Sequence, residues 1–394
     1  MKKDKKINIG FIINYRLNGW IGVTNYYTNL FKILSIYSNK YKIVIITDFN
    51  MTKKEEENFK NFKIIKSKLF DRKNKFVKIF NLIRIIFLKK NKNIENFLIE
   101  NNISIISHTN YLGKKSTIPS IKWFPDFQEI EFPENFSFRQ KIARKLDIIM
   151  SLINSSIILL SSKSVRNDLK KINKKAYYHS KVVSHCTFID IKKLKTKNYL
   201  KKKYKVKLNE NFIFIPNHHW KHKNHITVYE SIKTIREKYK KNILLITTGN
   251  KNDYRFPEHS NFLKNYIEKN DLSKNIINLG LIEYIDVLSF MKYCKVLINP
   301  SLSEGWGNMI DHANYFKKPI FLSNINVHKE QKPTNAIFFR KKSANDLSKK
   351  LYSFFYKKNI IKNYSYENTN SKIYSFYKNY ISLIDNVLKK WLRN

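Results

Sequence analysis

The chain has 394 residues and carries 76 Lys and Arg against 30 Asp and Glu, which gives a formal net charge of +46. Its 28 Phe, 24 Tyr and 42% hydrophobic residues exclude a disordered chain, and the length predicts two domains. The two cysteines, Cys186 and Cys294, are far apart in the sequence. This spacing excludes a disulfide framework and a cysteine-based zinc site, and it favours a reducing compartment.

The excess of Lys and Arg favours an anionic partner, which could be nucleic acid, anionic lipid or a substrate that bears phosphate. Lys, Asn and Ile are all abundant, so a compositional bias would also place lysines on every solvated surface. The N-terminus resembles a secretory signal, but its apolar run is short and interrupted by Asn8 and Asn14, so we interpret it as a strand. No stretch reaches the roughly 18 uncharged apolar residues that a membrane-spanning helix needs.

Short β-branched runs alternate with stretches of helical spacing in two successive series. The first series predicts a helix at 24–38 and strands at 7–14, 41–47 and 103–107. The second series predicts strands at 211–217, 242–249, 275–280, 294–301 and 318–323. This alternation is typical of βαβ units, so the predicted fold class is α/β with parallel sheets in two domains.

A lysine-rich run separates the two series. Residues 191–210 hold nine lysines and neither Gly nor Pro, which predicts a surface connector. The predicted domains are therefore 1–190 and 211–375. The remaining segment, 376–394, predicts a helix with one apolar face that could return to the N-terminal domain.

Eight glycines in 394 residues are about 2%, against a usual value of roughly 7%. Most of them follow predicted strands, at the edge where ligands bind in open α/β sheets, although each one could also be an ordinary turn residue. Neither GxGxxG nor GxxxxGK[ST] occurs, so the pattern excludes a dehydrogenase of the usual type and a P-loop ATPase.

The strongest local motif is the stretch 298–333. A strand ends at Pro300, Glu304 follows in a turn with Gly305 and Gly307, and a helix would begin near 308. A carboxylate there could bind a vicinal diol such as a ribose, or it could simply cap the helix. This stretch resembles the retaining glycosyltransferases of family four, particularly those that assemble polysaccharides.

The resemblance implies a GT-B fold, in which two Rossmann-like domains face each other across a central cleft. It also implies that Glu304 contacts the donor sugar and acts in catalysis. The family's second acidic residue, which contacts the ribose, falls on His312, and Asp311 precedes it. Either Asp311 takes over this role with Gly305 and Gly307, or the donor contact is altered.

Other segments match the family in order. Residues 212–232 resemble the segment that binds the donor diphosphate, which implies this role for Lys223 and for His218 in place of an Arg. His218, His219, His222 and His225 could also suggest a metal site, but lysines surround them rather than carboxylates. In the stretch 278–301, the resemblance implies that Gly280, Leu281 and Ile282 pack against the nucleotide base, although a plain turn fits equally well.

Three residues of the N-terminal half also match family positions. Gly22 lies in a segment, 18–30, that resembles the family's glycine-rich loop, and it would let a helix N-terminus approach the donor phosphate or the acceptor. The resemblance implies that His108 contacts the transferred sugar, although a buried, hydrogen-bonded histidine is equally expected. Asp126 lies in a Pro-Asp loop that faces the same cleft in relatives.

The sequence contains no Asp-x-Asp motif of the kind that holds a divalent cation in metal-dependent glycosyltransferases. We therefore expect no metal and no cofactor beyond the nucleotide-sugar substrate, with Lys223 and helix N-termini neutralising the leaving diphosphate.

The segment 72–92 contains eight Lys and Arg and no acid, with apolar residues at helical spacing. This pattern is typical of a helix at a membrane surface, where Lys75, Lys78, Lys89 and Lys90 would face anionic lipid. A core helix with a lysine-rich solvent side is the alternative. In relatives that glycosylate lipid-linked acceptors, the same domain faces the membrane.

Together these features predict a cytoplasmic enzyme, peripheral on the inner face of the membrane, that transfers a sugar with retention from a nucleotide-diphosphate donor to a surface polysaccharide or a lipid-linked glycan. Two alternatives stay open. A basic nucleic-acid-binding protein would explain the net charge directly, but the sequence shows no nucleic-acid-binding module. A glycosyltransferase-like binding subunit without catalysis would explain His312.

Overall fold

The computed structural model describes residues 6–13, 21–71, 73–108, 111–208, 211–357 and 364–391. Within these ranges it does not describe the side chains of Ile21, Lys54 and Lys78. The chain divides into two compact units, one formed by Met1–Phe188 with Asn370–Asn394 and the other by Ile189–Thr369. Each unit is built around one parallel β-sheet.

The first sheet has seven described strands in the order β3-β2-β1-β4-β5-β6-β7, and every neighbouring pair is parallel. Its strands are β1 (Ile7–Ile12), β2 (Tyr41–Thr47), β3 (Lys63–Lys66), β4 (Ile105–His108), β5 (Ser120–Phe124), β6 (Ile157–Leu160) and β7 (Ser180–Val182). Alternate residues of β2 point into different core clusters, Ile43 and Ile45 into one and Val44 and Ile46 into the other. The sheet is therefore buried on both faces.

Helices cover the two faces of this sheet. They are α1 (Ile21–Tyr37), α2 (Lys53–Glu57), α3 (Lys75–Leu88), α4 (Lys92–Glu100), α5 (Gln128–Glu131), α6 (Phe138–Asn154), α7 (Lys163–Ile172), α8 (Lys174–Tyr178) and, from the end of the chain, α16 (Thr369–Trp391). The side chains of α1 and α16 share one core cluster, and those of α6, α7 and α8 share a cluster on the other face.

The second sheet has six described strands in the order β10-β9-β8-β11-β12-β13, again all parallel. They are β8 (Phe212–Ile215), β9 (Leu244–Thr247), β10 (Ile276–Asn278), β11 (Val296–Asn299), β12 (Ile320–Ser323) and β13 (Ala336–Phe339). The order reverses beside β8, and in doubly wound sheets ligands bind at the carboxyl edge near such a reversal.

The helices of the second unit are α9 (Lys197–Tyr204), α10 (His225–Tyr239), α11 (His259–Lys269), α12 (Tyr284–Tyr293), α13 (Met309–Tyr315), α14 (Asn326–Glu330) and α15 (Ala344–Tyr356). They connect the strands in sequence, so the loops that follow the strands collect at one edge of the sheet. Most of the predicted site residues of this unit lie in those loops, and Asp311 and His312 lie on α13.

The basic run 191–210, which we expected to be a surface connector, differs from that prediction. Its residues 197–204 form α9, and Leu200 is fully buried in the core of the second unit. Lys203 binds the buried Asp286, with 2.7 Å between Nζ and Oδ2. The lysines lie on the exposed side of a helix whose other side packs, and lysine composition alone does not reveal that packed side.

Candidate active site

Two loops at the carboxyl edge of the second sheet are bonded to each other. Asn224 adopts a left-handed conformation, with φ of 57°, between the short 3₁₀ turn Lys221–Lys223 and α10. Its side-chain amide donates to the Pro300 carbonyl at 3.1 Å, and the Leu302 amide donates to the His222 carbonyl at 2.8 Å. The loop after β8 is thereby fixed against the loop after β11.

These bonds bring Lys223 and Glu304 together as an ion pair. Lys223 Nζ lies 2.7 Å from Glu304 Oε1, and the two side chains are 16% and 14% exposed. Burial alone would raise the pKa of the Glu304 carboxyl, but the charge and hydrogen bond of Lys223 outweigh it and lower the pKa from 4.5 to about 2. A compact, partly accessible pair of opposite charges therefore stands at the sheet edge.

A chain of hydrogen-bonded polar side chains lies at the same sheet edge. The Asn217 amide donates to Asn299 Oδ1 at 3.1 Å, and Asn299 Nδ2 lies 3.3 Å from His328 Nε2. His328 Nδ1 lies 2.9 Å from the Ser323 carbonyl, so the ring donates from Nδ1 and accepts at Nε2. Burial lowers the pKa of His328.

Sequence reasoning missed Asn299 and His328. Asn299 is the last residue of β11, and His328 lies five residues after the end of β12. Their position at or just beyond the carboxyl ends of strands was the signal that could have found them. The hydrogen bonds between them, by contrast, join residues that are far apart in the sequence.

His218, predicted to bind the donor diphosphate, is held by the loop after β9. Its Nδ1 accepts the Asn250 backbone N–H at 2.8 Å, so in the neutral ring the proton lies on Nε2. Burial, followed by the charge of Lys223, lowers the pKa of His218 to about 4. The ring is therefore neutral at pH 7 and can donate one hydrogen bond, whereas an Arg would also carry a charge.

The approach of these two loops depends on Gly249. Its φ of 127° is a conformation that residues with a side chain rarely adopt. A Cβ at this position would overlap the Asn217 carbonyl oxygen at 2.5 Å. Gly249 also donates its N–H to the Gly280 carbonyl at 2.8 Å, which ties the loop after β9 to the loop after β10.

The other histidines of this cluster contact protein side chains. Arg255 Nη2 lies 3.2 Å from His222 Nδ1, and His219 Nε2 lies 3.3 Å from the Thr247 hydroxyl. His225 is fully buried, and its ring stacks near that of His219 at 4.4 Å. Within the described part of the chain, no three His, Cys, Asp or Glu side chains form a set that could hold a metal ion.

The residues predicted to contact the base lie at the same sheet edge but differ in exposure. Gly280 donates its N–H to Asn278 Oδ1 at 2.9 Å. Leu281 is 60% exposed, whereas Ile282 packs against the core of the second unit. Leu281 is thus the accessible apolar side chain of this turn.

Two of the residues predicted to contact the ribose, Asp311 and His312, are buried. Asp311 and His312 both lie on α13, and His312 Nε2 is 3.0 Å from the Tyr284 hydroxyl on α12. In the turn before α13, Gly305 and Gly307 are half-buried, and a Cβ on Gly307 would make ordinary van der Waals contact with the His328 ring at 3.5 Å. The structure therefore brings Gly307 close to the Glu304 network and turns His312 towards α12.

In the first unit, His108 ends β4 in a buried aromatic environment. Its ring lies 2.7 Å from the Tyr26 hydroxyl and 2.8 Å from the Ser107 hydroxyl, and Tyr380 of α16 donates to Ser107 at 2.9 Å. Burial, followed by the charge of His185, lowers the pKa of His108 to about 3. Its φ of 79° is unusual for a residue with a side chain, and such strain is concentrated at functional sites.

Asp126 and Gly22 are the other predicted residues of this unit. Asp126 Oδ1 lies 3.8 Å from Arg144 Nη2, and Arg144 also binds Glu129 at 2.8 Å, so an ion-pair network orients the Pro-Asp loop. Gly22 lies in the first turn of α1, and a Cβ there would meet open space. Residues 18–20 of the predicted glycine-rich loop lie outside the described residues.

The predicted membrane-facing lysines lie in or beside α3. Lys75 and Lys89 are exposed, and the side chain of Lys78 lies outside the described residues. Lys90 Nζ lies 3.7 Å from the buried Glu95, so Lys90 also has a structural partner. Among the helices that the structure describes, none combines the length and the apolar character needed to cross a bilayer.

Comparison with known families identifies the second unit. Residues 196–371 match the family described as glycosyl transferases group 1. The match covers less than half of the chain, and the chain as a whole has the GT-B fold. The matched segment contains Lys223, Glu304 and His328, and it favours the enzyme over the nucleic-acid-binding alternative that the net charge raised. Comparison with curated protein sequences gave no match.

Solved structures share the fold along nearly the whole chain. A glycosyltransferase from Rickettsia africae ESF-5 has 16% identity and a TM-score of 0.68, with 99% of each chain covered. Alr3699/HepE from Anabaena, solved with UDP and glucose, has 12% identity and a TM-score of 0.64, with 98% of each chain covered. The lipopolysaccharide outer core galactosyltransferase WaaB, in its apo form, has 13% identity and a TM-score of 0.62, with 96% of this chain and 99% of that chain covered. At these identities the likeness shows the fold.

Proposed function

We propose that this glycosyltransferase transfers a sugar, with retention and without a metal ion, from a nucleotide-diphosphate donor to a growing surface polysaccharide or a lipid-linked glycan. The observation that carries the proposal is the Lys223–Glu304 pair at the carboxyl edge of the second sheet. The neighbours support the donor class and the kind of product, because HepE was solved with UDP and glucose and WaaB is a lipopolysaccharide galactosyltransferase.

The pair supplies both groups that the donor needs. Lys223 is a point charge suited to a diphosphate, and Glu304 is a carboxylate that accepts hydrogen bonds from sugar hydroxyls. When the donor binds, its diphosphate partly replaces Glu304 as the anion that pairs with Lys223. His218 adds an N–H donor from Nε2, because its Nδ1 already accepts from Asn250.

The proposed reaction replaces one bond at the anomeric carbon. The bond from this carbon to the diphosphate oxygen breaks while the bond to the acceptor oxygen forms on the same face of the sugar. The acceptor proton passes to the leaving phosphate oxygen, so no dedicated basic side chain is required. Lys223 stabilises the charge that develops on the leaving group, which is the role that a metal ion has in other glycosyltransferases.

The test is donor turnover across a panel of UDP-, GDP- and ADP-sugars in the presence and absence of a chelator. Lys223→Ala should lower turnover at least a hundredfold, because it removes the charge facing the leaving group. Lys264→Ala is the matched control, since Lys264 belongs to an exposed ion pair with Glu268 on α11 of the same unit. Wild-type turnover that the chelator abolishes would contradict the metal-free mechanism, and full activity of Lys223→Ala would contradict the site.

A second candidate function is a binding subunit that has lost catalysis. His312 stands where the family has its second acid and bonds to Tyr284 instead of lying open at the sheet edge. Tight binding of a nucleoside diphosphate without hydrolysis or transfer of any donor sugar would favour this candidate. Restored turnover in His312→Glu would then assign the loss to this position.

We also propose that α3 places the enzyme on the inner face of the cytoplasmic membrane. Its outward side is apolar, with Phe76 74% and Phe87 76% exposed, and the helix contains no acidic residue. Lys75→Glu with Lys89→Glu should weaken binding to anionic vesicles. Lys90 is excluded from this variant because it pairs with the buried Glu95. Unchanged binding would contradict the proposal.

A further inference from the structure

Helix α6 presents a second apolar face to solvent. Five large apolar side chains recur along it every three or four residues, which is the spacing of one helix face. All five are exposed: Phe138, Ile142, Leu146, Ile149 and Ile153. A continuous exposed apolar strip of this kind marks an interaction surface.

The opposite side of α6 already packs against the sheet. Ile148 is buried in the same core cluster as Ile158 and Leu160 of β6, and Ser151 and Asn154 are buried beside it. The helix is therefore anchored by a small and partly polar face, while its most apolar face is left outside. Folding of the first unit alone does not bury that outer strip.

The topology places α6 and α3 on the same face of the first sheet. The connection from β3 to β4, which contains α3, and the connection from β5 to β6, which contains α6, run in the same direction across the strand order. Right-handed crossovers therefore put both helices in one layer. Both helices point an apolar strip away from the sheet.

A short segment joins the ends of the two helices. The Lys115 amide donates to the Lys89 carbonyl at the end of α3, with 2.9 Å between N and O. The Gly113 amide donates to the Asn154 carbonyl at the end of α6, at 3.3 Å. A Cβ on Gly113 would collide with the Lys89 carbonyl, so glycine permits this close approach. Residues 113–115 thus bond the carboxyl ends of α3 and α6 side by side.

Charge distinguishes the possible occupants of this surface. The strip on α6 is flanked by Arg139 and Lys145, and the single acid of α6, Asp147, is engaged by Lys122 at 3.1 Å. In a symmetric dimer through this surface, the same basic residues of two chains, each with a net charge of +46, would face each other. An anionic lipid surface matches both the apolar strip and its basic border.

We propose that α6 lies beside α3 on an anionic lipid surface, so that the first unit binds the membrane through two helices. Each helix inserts its apolar strip at the level of the headgroups, and the flanking lysines and arginines contact lipid phosphates. The proposal extends the membrane placement given above for α3, and it requires none of the residues assigned to sugar transfer.

The test compares three proteins on phosphatidylcholine vesicles with and without phosphatidylglycerol. Leu146→Gln with Ile149→Gln should weaken binding to the anionic vesicles about tenfold or more, since two apolar side chains no longer insert. Ile36→Gln with Phe262→Gln is the matched control, because both are exposed apolar residues on helices outside this layer. The control should bind as wild type does.

Two further measurements separate the possible outcomes. Nucleoside-diphosphate affinity should be unchanged in both variants, and sedimentation should show that the wild type does not self-associate through α6. The proposal would be overturned if the wild type did not bind anionic vesicles, or if the α6 variant bound them as tightly as the wild type. A dimer that the α6 substitutions dissociate would also overturn it. Vesicle binding that responds as expected while no donor sugar is turned over would instead overturn the proposed function alone.

Discussion

Removal of the positive partner of Glu304 should destabilise the second unit in a pH-dependent way. In Lys223→Met, the Glu304 carboxylate keeps its burial and loses the charge that stabilises it. Burial is then opposed only by the smaller effects of Ser301 and His328, so the pKa of Glu304 should rise from the wild-type value of about 2. At pH 7 the variant therefore holds an uncompensated buried charge.

The pKa shift of Glu304 gives the size of this loss of stability. A pKa shift of one unit corresponds to about 1.4 kcal/mol. The lowering of the pKa of Glu304 from 4.5 to about 2 therefore corresponds to roughly 3 kcal/mol in favour of the charged carboxylate. Breaking a buried ion pair by removing one partner costs about 3 to 5 kcal/mol, which agrees with this value. For a unit of this size the melting temperature should fall by on the order of 10 °C.

The assay is thermal unfolding of the full chain at several pH values, with hydrogen exchange of peptides from 211–357 to assign the change to the second unit. The deficit of Lys223→Met should be largest at pH 7 and shrink towards pH 4, because protonation of Glu304 removes the unpaired charge in the variant. Adding Glu304→Gln should recover much of the lost stability. A deficit that is equal at pH 7 and pH 4, or no deficit, would refute the reasoning.

Three further predictions concern the same sheet edge. Gly249→Ala should destabilise the second unit by about 1 to 3 kcal/mol in urea unfolding, because its φ and its contact with residue 217 exclude a Cβ, whereas Gly22→Ala should have no effect. Burial lowers the pKa of His225, so the free energy of unfolding should fall as the pH drops below about 6.5. Between pH 7 and pH 5, His225→Phe should lose up to about 2 kcal/mol less of this free energy than the wild type does. His218→Arg should tighten UDP binding at pH 7 in calorimetry, since a guanidinium adds the charge that the neutral ring lacks; weaker binding would contradict this role.

The sequence predicted the longer and more apolar strands because β-branched runs reveal themselves without tertiary information. Strands 41–47 and 318–323 are examples, and both are found in the structure. β3, β5, β6, β7 and β13 were not predicted. β7 has three residues and β5 begins with Ser120 and contains Lys122, so neither has a run long enough to show a period.

Orientation was the main property that the sequence could not supply. The apolar strip of α6 has the spacing that normally indicates a core-facing side, yet this strip is exposed and the buried side carries Ser151 and Asn154. Periodicity shows that a helix has two faces and does not show which of them packs. The basic run 191–210 is the reverse case, since one leucine in α9 is fully buried among lysines.

The candidate site was predicted where residues follow strands and was missed where it depends on contacts between loops. Lys223 and Glu304 were both singled out, but their separation of 81 positions gives no sign that they form a pair. Asn299 and His328 likewise bond to each other across 29 positions, from the end of β11 to the helix after β12. Such networks are fixed by the sheet topology, which brings strand ends together irrespective of their distance in sequence.

The few acidic residues of this basic chain also show how its charge is distributed. Several of them are buried and neutralise a specific cation: Glu304 binds Lys223, and Asp286 binds Lys203. Asp253 is likewise buried and binds Arg255. Acids placed in this way cancel charge inside the fold and leave most surface lysines unmatched. The long-range positive field therefore arises from the surface, whereas Glu304 neutralises Lys223 locally.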